Sequence, residues 1–448
     1  MLDGMTLVVG LGKSGLATAR ALHALGATFA VTDSRADPPG LAALRAECPD
    51  VPLYLGGFDP ALLAGADRLL VSPGIALATP AIAAAVAGGV PAWGDIELLA
   101  RLTQVPMAAI TGSNGKSTVT TLLGLMAERA GVRAAVGGNL GTPALELWQH
   151  SEGAANPPEL YVLELSSFQL ETTHSLNARV ATVLNISPDH MDRYASLNDY
   201  RAAKQRVFHG DGVMVVNADD PAVLAMVEPG RAVLRFTLDA PGDGDFGLHR
   251  AGGETWLCRG AERWIAADEL QISGDHNLAN ALAALAMGTA LGFDRAAMRA
   301  ALREFTGLAH RTTLVVEHNG VRWFDDSKGT NVGATVAAVR GLPGQVVLIA
   351  GGDGKAQDFT PLRAALTGKA RAVVLIGRDA PLIAAALGDS VPLQRAADLE
   401  QAVALAAQLA APGDSVLLSP ACASFDMFSG YEQRGALFAA AVRRLAGC

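Results

Sequence analysis

An α/β architecture of three domains is what this sequence predicts, and three observations predict it. Its 448 residues suffice for about three domains of roughly 150 residues each. Half of the residues are hydrophobic and only 5% are aromatic, with glycine and alanine abundant, a composition suited to helices packed closely on parallel strands. An apolar run that leads into a glycine turn and then into a helix-permissive or loop stretch occurs near the start, again at Met107 and again at Gln345.

In chain order, Thr6 to Val9 reads as a buried strand, Gly10-Leu-Gly-Lys-Ser-Gly15 as a tight turn and Leu16 to Leu25 as a helix. A second strand, Thr28 to Thr32, ends at Asp33. A G-x-G-x-x-G pattern followed by an acid about 20 residues on suggests a Rossmann-like domain holding a nucleotide diphosphate. Glycines that merely let a helix pack on a strand would leave the same trace. Leu69-Leu-Val-Ser-Pro-Gly-Ile75 is a later strand running into a turn at the carboxyl edge of the sheet, where ligands of open α/β sheets collect. This domain is expected over residues 1–95.

The second unit is the most informative. Met107 to Ile110 is an apolar strand, Val119 to Ala130 is helix-permissive, and between them lies Thr111-Gly-Ser-Asn-Gly-Lys-Ser-Thr118. Gly112 and Gly115 let the backbone turn and aim N–H groups inward, Lys116 adds a point charge, and the Ser117 hydroxyl can ligate Mg²⁺. The general G-x-x-x-x-G-K-[ST] form would put a glycine at Ile110, so this loop is shortened. The strand Tyr161 to Leu165 is apolar except for Glu164, which is suited to hold Mg²⁺ directly or through water. Ala181 to Ile186 leads into Pro188-Asp-His-Met-Asp-Arg193, Gly212 to Asn217 is a further strand, Asp239 to Gly253 reads as turns around short antiparallel strands, and His276 to Leu291 as a helix. A central P-loop ATPase-type domain with a mostly parallel sheet is expected over 96–307. The third domain, 308–448, is again Rossmann-like: Gln345 to Ala350 feeds Gly351-Gly-Asp-Gly-Lys355, Ala372 to Ile376 and Ser415 to Leu418 are parallel strands, and Pro361 to Leu366 and Leu399 to Leu409 are crossover helices.

The net charge is −9 and no lysine- or arginine-rich run offers a nucleic acid an electrostatic footprint. Cys48, Cys258, Cys422 and Cys448 are scattered without a C-x-x-C pair, which fits reduced thiols better than a disulfide frame or a zinc site. The amino terminus lacks a basic and apolar leader, and no apolar stretch reaches about 18 residues, so a soluble, untargeted protein without a membrane partner is expected.

Taken together, Thr111-Gly-Ser-Asn-Gly-Lys-Ser-Thr118, Leu163-Glu-Leu-Ser-Ser-Phe-Gln-Leu-Glu171, Asp189-His-Met-Asp-Arg-Tyr194, Tyr200-Arg-Ala-Ala-Lys204, Gly274-Asp-His-Asn-Leu-Ala-Asn280 and His310-Arg311 resemble the Mur ligase family over essentially the whole chain. The resemblance implies a monomeric, cytoplasmic, ATP-dependent amide ligase of peptidoglycan precursor synthesis. By it, ATP phosphorylates the alanyl carboxylate of UDP-N-acetylmuramoyl-L-alanine, the amine of D-glutamate attacks the acyl phosphate, and a tetrahedral intermediate collapses to amide, ADP and phosphate. A carboxylate repels nucleophiles, so activation is needed, and bringing two anions together calls for Mg²⁺ and lysine.

The same resemblance distributes roles. ATP falls to Gly112, Ser113, Asn114, Gly115, Lys116, Ser117, Thr118, Asn277, Asn280, Arg311, Asp326 and Lys328. Two Mg²⁺ ions fall to Ser117, Glu164, His190 and Lys204, the last as a carbamate formed with CO₂, which turns a cation into an oxygen-donating anion. On position alone His190 is a surface-loop histidine, Lys204 a solvated helix lysine, and Asn277 and Asn280 helix caps; the resemblance makes His190 a metal ligand, and Lys116, Glu164, His190 and Lys204 catalytic. The UDP substrate is assigned Lys13, Ser14, Asp33, Ser34, Arg35, Ser72, Gly74, Asn139 and His190. D-glutamate is assigned Thr330, Lys355, Ser424, Phe425 and Tyr431, where the resembling enzymes carry phenylalanine at the last position. Because these sites sit on three domains, catalysis is expected to need inward closure of the last one. A nicotinamide-dependent dehydrogenase would explain Gly10 to Asp33 alone, a folylpolyglutamate-synthase-like enzyme the last two domains alone, and a nucleotide-binding switch the phosphate loop alone.

Overall fold

A computed structural model describes residues 2–447; Met1 and Cys448 lie outside the described residues. These form three sheets of five, nine and six strands. In the first, β1 (Thr6–Val9), β2 (Phe29–Asp33), β3 (Leu53–Leu55), β4 (Arg68–Val71) and β5 (Ala92–Trp93) run in the order β3-β2-β1-β4-β5, parallel throughout. β1, β2 and β4 are buried along their whole length, as strands covered on both faces must be. The order reverses between β1 and β4, which places the crevice of this sheet at the Gly10 and Ser72 turns.

The second sheet contains β6 (Met107–Thr111), β7 (Ala134–Gly138), β8 (Leu160–Glu164), β9 (Val180–Val183), β10 (Val213–Asn217), β11 (Val233–Phe236), β12 (Phe246–Ala251), β13 (Glu254–Arg259) and β14 (Glu262–Ala266), ordered β14-β13-β12-β11-β10-β9-β6-β8-β7. It is parallel up to β12, and β12 to β14 form the antiparallel meander that the turn residues of Asp239 to Gly253 predict. β6 lies between β8 and β9, with Ile110 opposite Glu164.

The third sheet, β15 (Thr313–His318), β16 (Val321–Asp325), β17 (Val346–Gly351), β18 (Ala370–Ile376), β19 (Leu393–Arg395) and β20 (Ser415–Leu418), is ordered β15-β16-β20-β17-β18-β19. Its order reverses between β17 and β20, so the Gly351 and Ser419 turns face each other. Apolar clusters cover both faces, one built around Val346, Leu348 and Leu417 and the other around Val347, Ile349 and Val416. β15 is an antiparallel edge on this otherwise parallel sheet, paired with β16 through Asn319-Gly320, whose φ values of 52° and 74° suit a tight hairpin.

The chain divides into two compact units. One holds the first two sheets and comprises residues up to Asn185, Asn198–Ala266 and Asn280–Arg303; the other holds the third sheet and comprises Ile186–Leu197, Ala267–Ala279 and the residues from Glu304. Within the second of these units Asp189 is bonded to Lys355 and Asn331. Cys48, Cys258 and Cys422 are buried free thiols, and no helix among the described residues is long and apolar enough to cross a membrane.

Candidate active site

The first glycine turn is built by close approach. A Cβ on Gly15 would stand 1.9 Å from the Gly10 carbonyl oxygen, and Ser72 Oγ donates to that same carbonyl at 2.8 Å. Asp33 is fully buried beneath the turn. Its carboxylate accepts from the Leu11 N–H (2.7 Å), the Arg35 N–H (2.9 Å) and the Arg35 guanidinium (2.7 and 2.8 Å). Burial alone would raise its pKa, but these donors outweigh burial and hold it at about 2. Asp33 therefore props the loop, while Lys13, Ser34, Arg35 and Gly74 are the exposed residues of this crevice and Ser14 and Ser72 are half-buried.

At the second sheet, Gly112 (φ 145°) and Gly115 (φ 85°) occupy the left-handed half of the map, and Lys116 begins the helix Lys116–Arg129. Lys116 Nζ donates to the Gly112 (2.9 Å) and Ser113 (3.0 Å) carbonyls. Ser117 and Thr118 are buried in the first helical turn. Asn185, which sequence reasoning missed, holds the loop from β9: its carbonyl accepts from Ser113 N (2.9 Å), and its side chain exchanges bonds with Asn114 N (2.8 Å) and Asn114 O (3.1 Å). Its only sequence signal is its place just past a buried strand.

Glu164 is buried at the end of β8, with Asn139 Nδ2 donating to its carboxylate at 2.7 Å, so two residues assigned to different ligands are joined. Lys204 is only 1% exposed. It lies over the Tyr200 ring and donates to Gly112 O (2.9 Å) and Thr111 Oγ1 (3.3 Å), which brings it onto the loop rather than into solvent. Asn280 reaches the same place, since a Cβ on Gly115 would stand 2.3 Å from its Oδ1. Gly115→Ala is thus expected to raise the KM for ATP about tenfold, through left-handed strain of ~1–2 kcal/mol and displacement of Asn280. Steady-state kinetics alongside a thermal melt checks this, and an unchanged KM contradicts it.

In the other unit, Asp189 organises a cluster. Its carboxylate pairs with Lys355 Nζ (2.5 Å) and accepts from Asn331 Nδ2 (3.2 Å) and from the His190 N–H (2.9 Å); His190, at φ 57°, keeps its Nε2 3.7 Å from Asp189 Oδ2. The Asp353–Ala423 bridge joins the Lys355 turn to the Ser419–Phe425 turn, where Ser424 is buried and Phe425 is 75% exposed. Lys328 Nζ sits 3.7 Å from the centre of the Tyr431 ring, an attraction that either tyrosine or phenylalanine supplies. Thr330 is half-buried at the end of the same turn, its N–H donating to Lys328 O. Asn277 Nδ2 caps Ser273 O at 2.9 Å.

Asp326 is buried and accepts from Ser419 Oγ (2.6 Å), Thr312 N (3.1 Å) and Thr312 Oγ1 (3.2 Å). Burial outweighs these donors and the Arg311 charge and pushes its carboxyl up to about 7. The folded state then binds a proton that the unfolded chain, near the usual aspartate value of 3.8, has already released. This contribution to stability is complete below about pH 4 and is lost as pH rises through about 7. Denaturant unfolding at several pH values is expected to show that loss and to show it diminished in Asp326→Asn.

No group of three or more His, Cys, Asp or Glu side chains among the described residues is arranged to hold a metal by itself. The oxygen donors Ser117 and Glu164 belong to one unit and His190 to the other.

Three family models match the chain in succession: the Mur ligase MurD-like N-terminal domain over residues 4–94, the Mur ligase middle domain over 110–288 and the Mur ligase glutamate ligase domain over 310–422. The UDP-N-acetylmuramoylalanine–D-glutamate ligase of Nitrosococcus oceani is 56% identical over 445 residues, covering 99% of this chain and 97% of that protein. The protein of the same name from Pseudomonas aeruginosa is 53% identical over 448 residues, covering 99% of each. Among solved structures, the UDP-N-acetylmuramate-alanine ligase of Thermotoga maritima matches with a TM-score of 0.59 at 18% identity over 99% of this chain and all (100%) of that one. A folylpolyglutamate synthase of Mycobacterium tuberculosis matches with a TM-score of 0.56 at 19% identity over 79% of this chain and 95% of that one. At such identities the likeness is one of fold.

Proposed function

Because this chain belongs to the Mur ligase family, we propose that it is the ATP-dependent ligase that adds D-glutamate to UDP-N-acetylmuramoyl-L-alanine in peptidoglycan precursor synthesis. The observation that carries this reading beyond the likeness is the junction at β6. There a shortened phosphate loop, the buried Glu164 on the neighbouring strand, Lys204 and Asn280 converge.

The glycine loop holds the phosphates through its N–H groups, and Lys116 holds the γ-phosphoryl group as it moves onto the alanyl carboxylate. Ser117 and Glu164 are hard oxygen donors beside the loop and fit Mg²⁺, since a carboxylate this deep gains from a nearby cation. Mg²⁺ supplies charge neutralisation for the transferring group. We assign His190 to a second ion. Lys204 fits a CO₂-derived carbamate: such a group keeps one N–H for the Gly112 carbonyl, and the Thr111 hydroxyl donates as readily as it accepts. The exposed residues of the first crevice take the UDP moiety, and the Lys355 and Ser424 turns take the two carboxylates of D-glutamate, whose amine attacks the acyl phosphate to give a tetrahedral intermediate and then the amide.

The enzyme works as a monomer in the cytoplasm, with small-molecule substrates and neither nucleic acid nor membrane as partner. The dehydrogenase alternative needs an acid free for a ribose hydroxyl, and Asp33 is committed to Leu11 and Arg35 instead. Incubation with ATP, Mg²⁺ and UDP-N-acetylmuramoyl-L-alanine, adding D-glutamate, L-glutamate or L-lysine in turn, tests the proposal. Phosphate release is expected with D-glutamate. Equal release with all three, or release without any, rejects it.

A further inference from the structure

The segment Leu163–Glu171 does more than deliver Glu164. Ser166 Oγ caps the helix Ser167–Glu171 by accepting from Gln169 N (3.2 Å), and Gln169 Oε1 accepts in return from the Ser166 N–H (3.1 Å) and hydroxyl (3.2 Å). The other end of that amide, Nε2, donates to Asp95 Oδ2 at 3.1 Å. Asp95 opens the helix Asp95–Leu102, which follows the last strand of the first sheet. Two residues on, Glu97 grips the chain just beyond the same segment. It accepts from His174 N (2.7 Å), Ser175 N (2.8 Å) and Ser175 Oγ (2.8 Å), and also from Arg101 Nε (2.6 Å). Just before them, the Gly94 N–H donates to Thr172 O, and a Cβ at Gly94 would stand 2.2 Å from Thr172 Oγ1.

Asp95, Glu97 and Gln169 are all buried. Burial pushes the Asp95 carboxyl up; it acts on Glu97 too, but the donors around that carboxylate hold it below its usual range. Within its own helix Asp95 accepts from the adjacent Ile96 N–H (3.0 Å) and Glu97 from Arg101, and their other bonds reach out to Gln169, His174 and Ser175. What the acids add is direction. A glutamine amide has a donor end and an acceptor end. With Asp95 taking the donor end, the acceptor end must face the Ser166 N–H. Without that carboxylate the amide can rotate and set its own N–H groups against another donor, and the turn two residues beyond Glu164 loses its hold.

We propose that Asp95 and Glu97 are positioning residues: a clamp by which the helix leaving the first sheet fixes Gln169, and through it the Glu164–Ser166 turn, beside the phosphate loop. The inference rests on the ligase reading above for its kinetic test and stands without it for its structural one.

The test uses the full-length enzyme with ATP, UDP-N-acetylmuramoyl-L-alanine and D-glutamate. Asp95→Ala is expected to lower kcat about tenfold or more with the KM for ATP within about twofold, since a small misplacement at the reacting centre is felt in turnover. Hydrogen exchange is expected to quicken at residues 165–170 and not across the rest of the central sheet. Asp95→Asn keeps an acceptor for Gln169 and is expected to restore most of the turnover. Should Asp95→Ala not fold, Gln169→Met breaks the same link from the other side with the same expected loss. Turnover within about twofold of the unsubstituted enzyme in either variant overturns the clamp, as does exchange that rises uniformly. If the unsubstituted protein releases no phosphate with D-glutamate, the ligase reading fails and exchange alone decides the clamp.

Discussion

Lys116→Ala is expected to lower kcat by about 10²–10³-fold while leaving the protein folded, because it removes a fixed positive charge from the place where phosphoryl charge develops. Lys116 Nζ donates to two backbone carbonyls of its own loop, Gly112 and Ser113. Each such bond, from a charged donor, contributes at most about 1.5–3 kcal/mol, and Gly112 O keeps the Lys204 donor at 2.9 Å. The loop is further pinned by Asn185 on Ser113 and Asn114. Thermal unfolding should therefore move by only a few degrees while turnover collapses. Lys116→Arg keeps the charge but not the compact ammonium and is expected to recover only part of the rate, since a planar guanidinium does not fit between the same two carbonyls. Phosphate release measured at saturating substrates decides the point. A kcat within about threefold of the unsubstituted enzyme would remove Lys116 from the transfer step.

How far the sequence reaches toward this picture depends on the range of the interaction. The strands β1, β6, β8 and β17 are legible because each is an apolar run buried on both faces, and the phosphate loop because its glycines and Lys116 are contiguous. Asn319-Gly320 is likewise a local signal, since an Asn-Gly pair favours a tight hairpin turn. By contrast, Asp33 has the spacing of a ribose-binding acid, yet its carboxylate is turned into the protein by Leu11 N and Arg35. Nothing near Asp95 in the chain names Gln169, 74 residues on, and nothing near Asp189 names Lys355, 166 residues on. Such partners depend on which strand ends the sheet order brings together, and that order is a tertiary property. Asn185 shows the same limit: a single amide after a strand is unremarkable until β9 is known to lie beside β6.

Lys355 raises a sharper question, because its assigned ligand is D-glutamate and its observed partner is Asp189. The pair is nearly out of water, with side-chain exposures of 12% and 9%, and closes at 2.5 Å. Lys355→Met takes the Lys355 charge away from the buried Asp189 carboxylate, which keeps Asn331 Nδ2 and the His190 N–H as donors, and breaking a buried pair from one side costs about 3–5 kcal/mol. Adding Asp189→Asn removes the stranded charge, so the double variant is expected to regain most of that stability. Affinity for D-glutamate should behave differently. If Lys355 binds a substrate carboxylate, losing a hydrogen bond to a charged group (~1.5–3 kcal/mol) weakens binding about ten- to hundredfold in the single and the double variant alike. Denaturant unfolding and calorimetric titration with D-glutamate separate the two roles on one set of proteins. Recovery of affinity together with stability in the double variant would make Lys355 a structural cation and leave D-glutamate to the Ser424 turn.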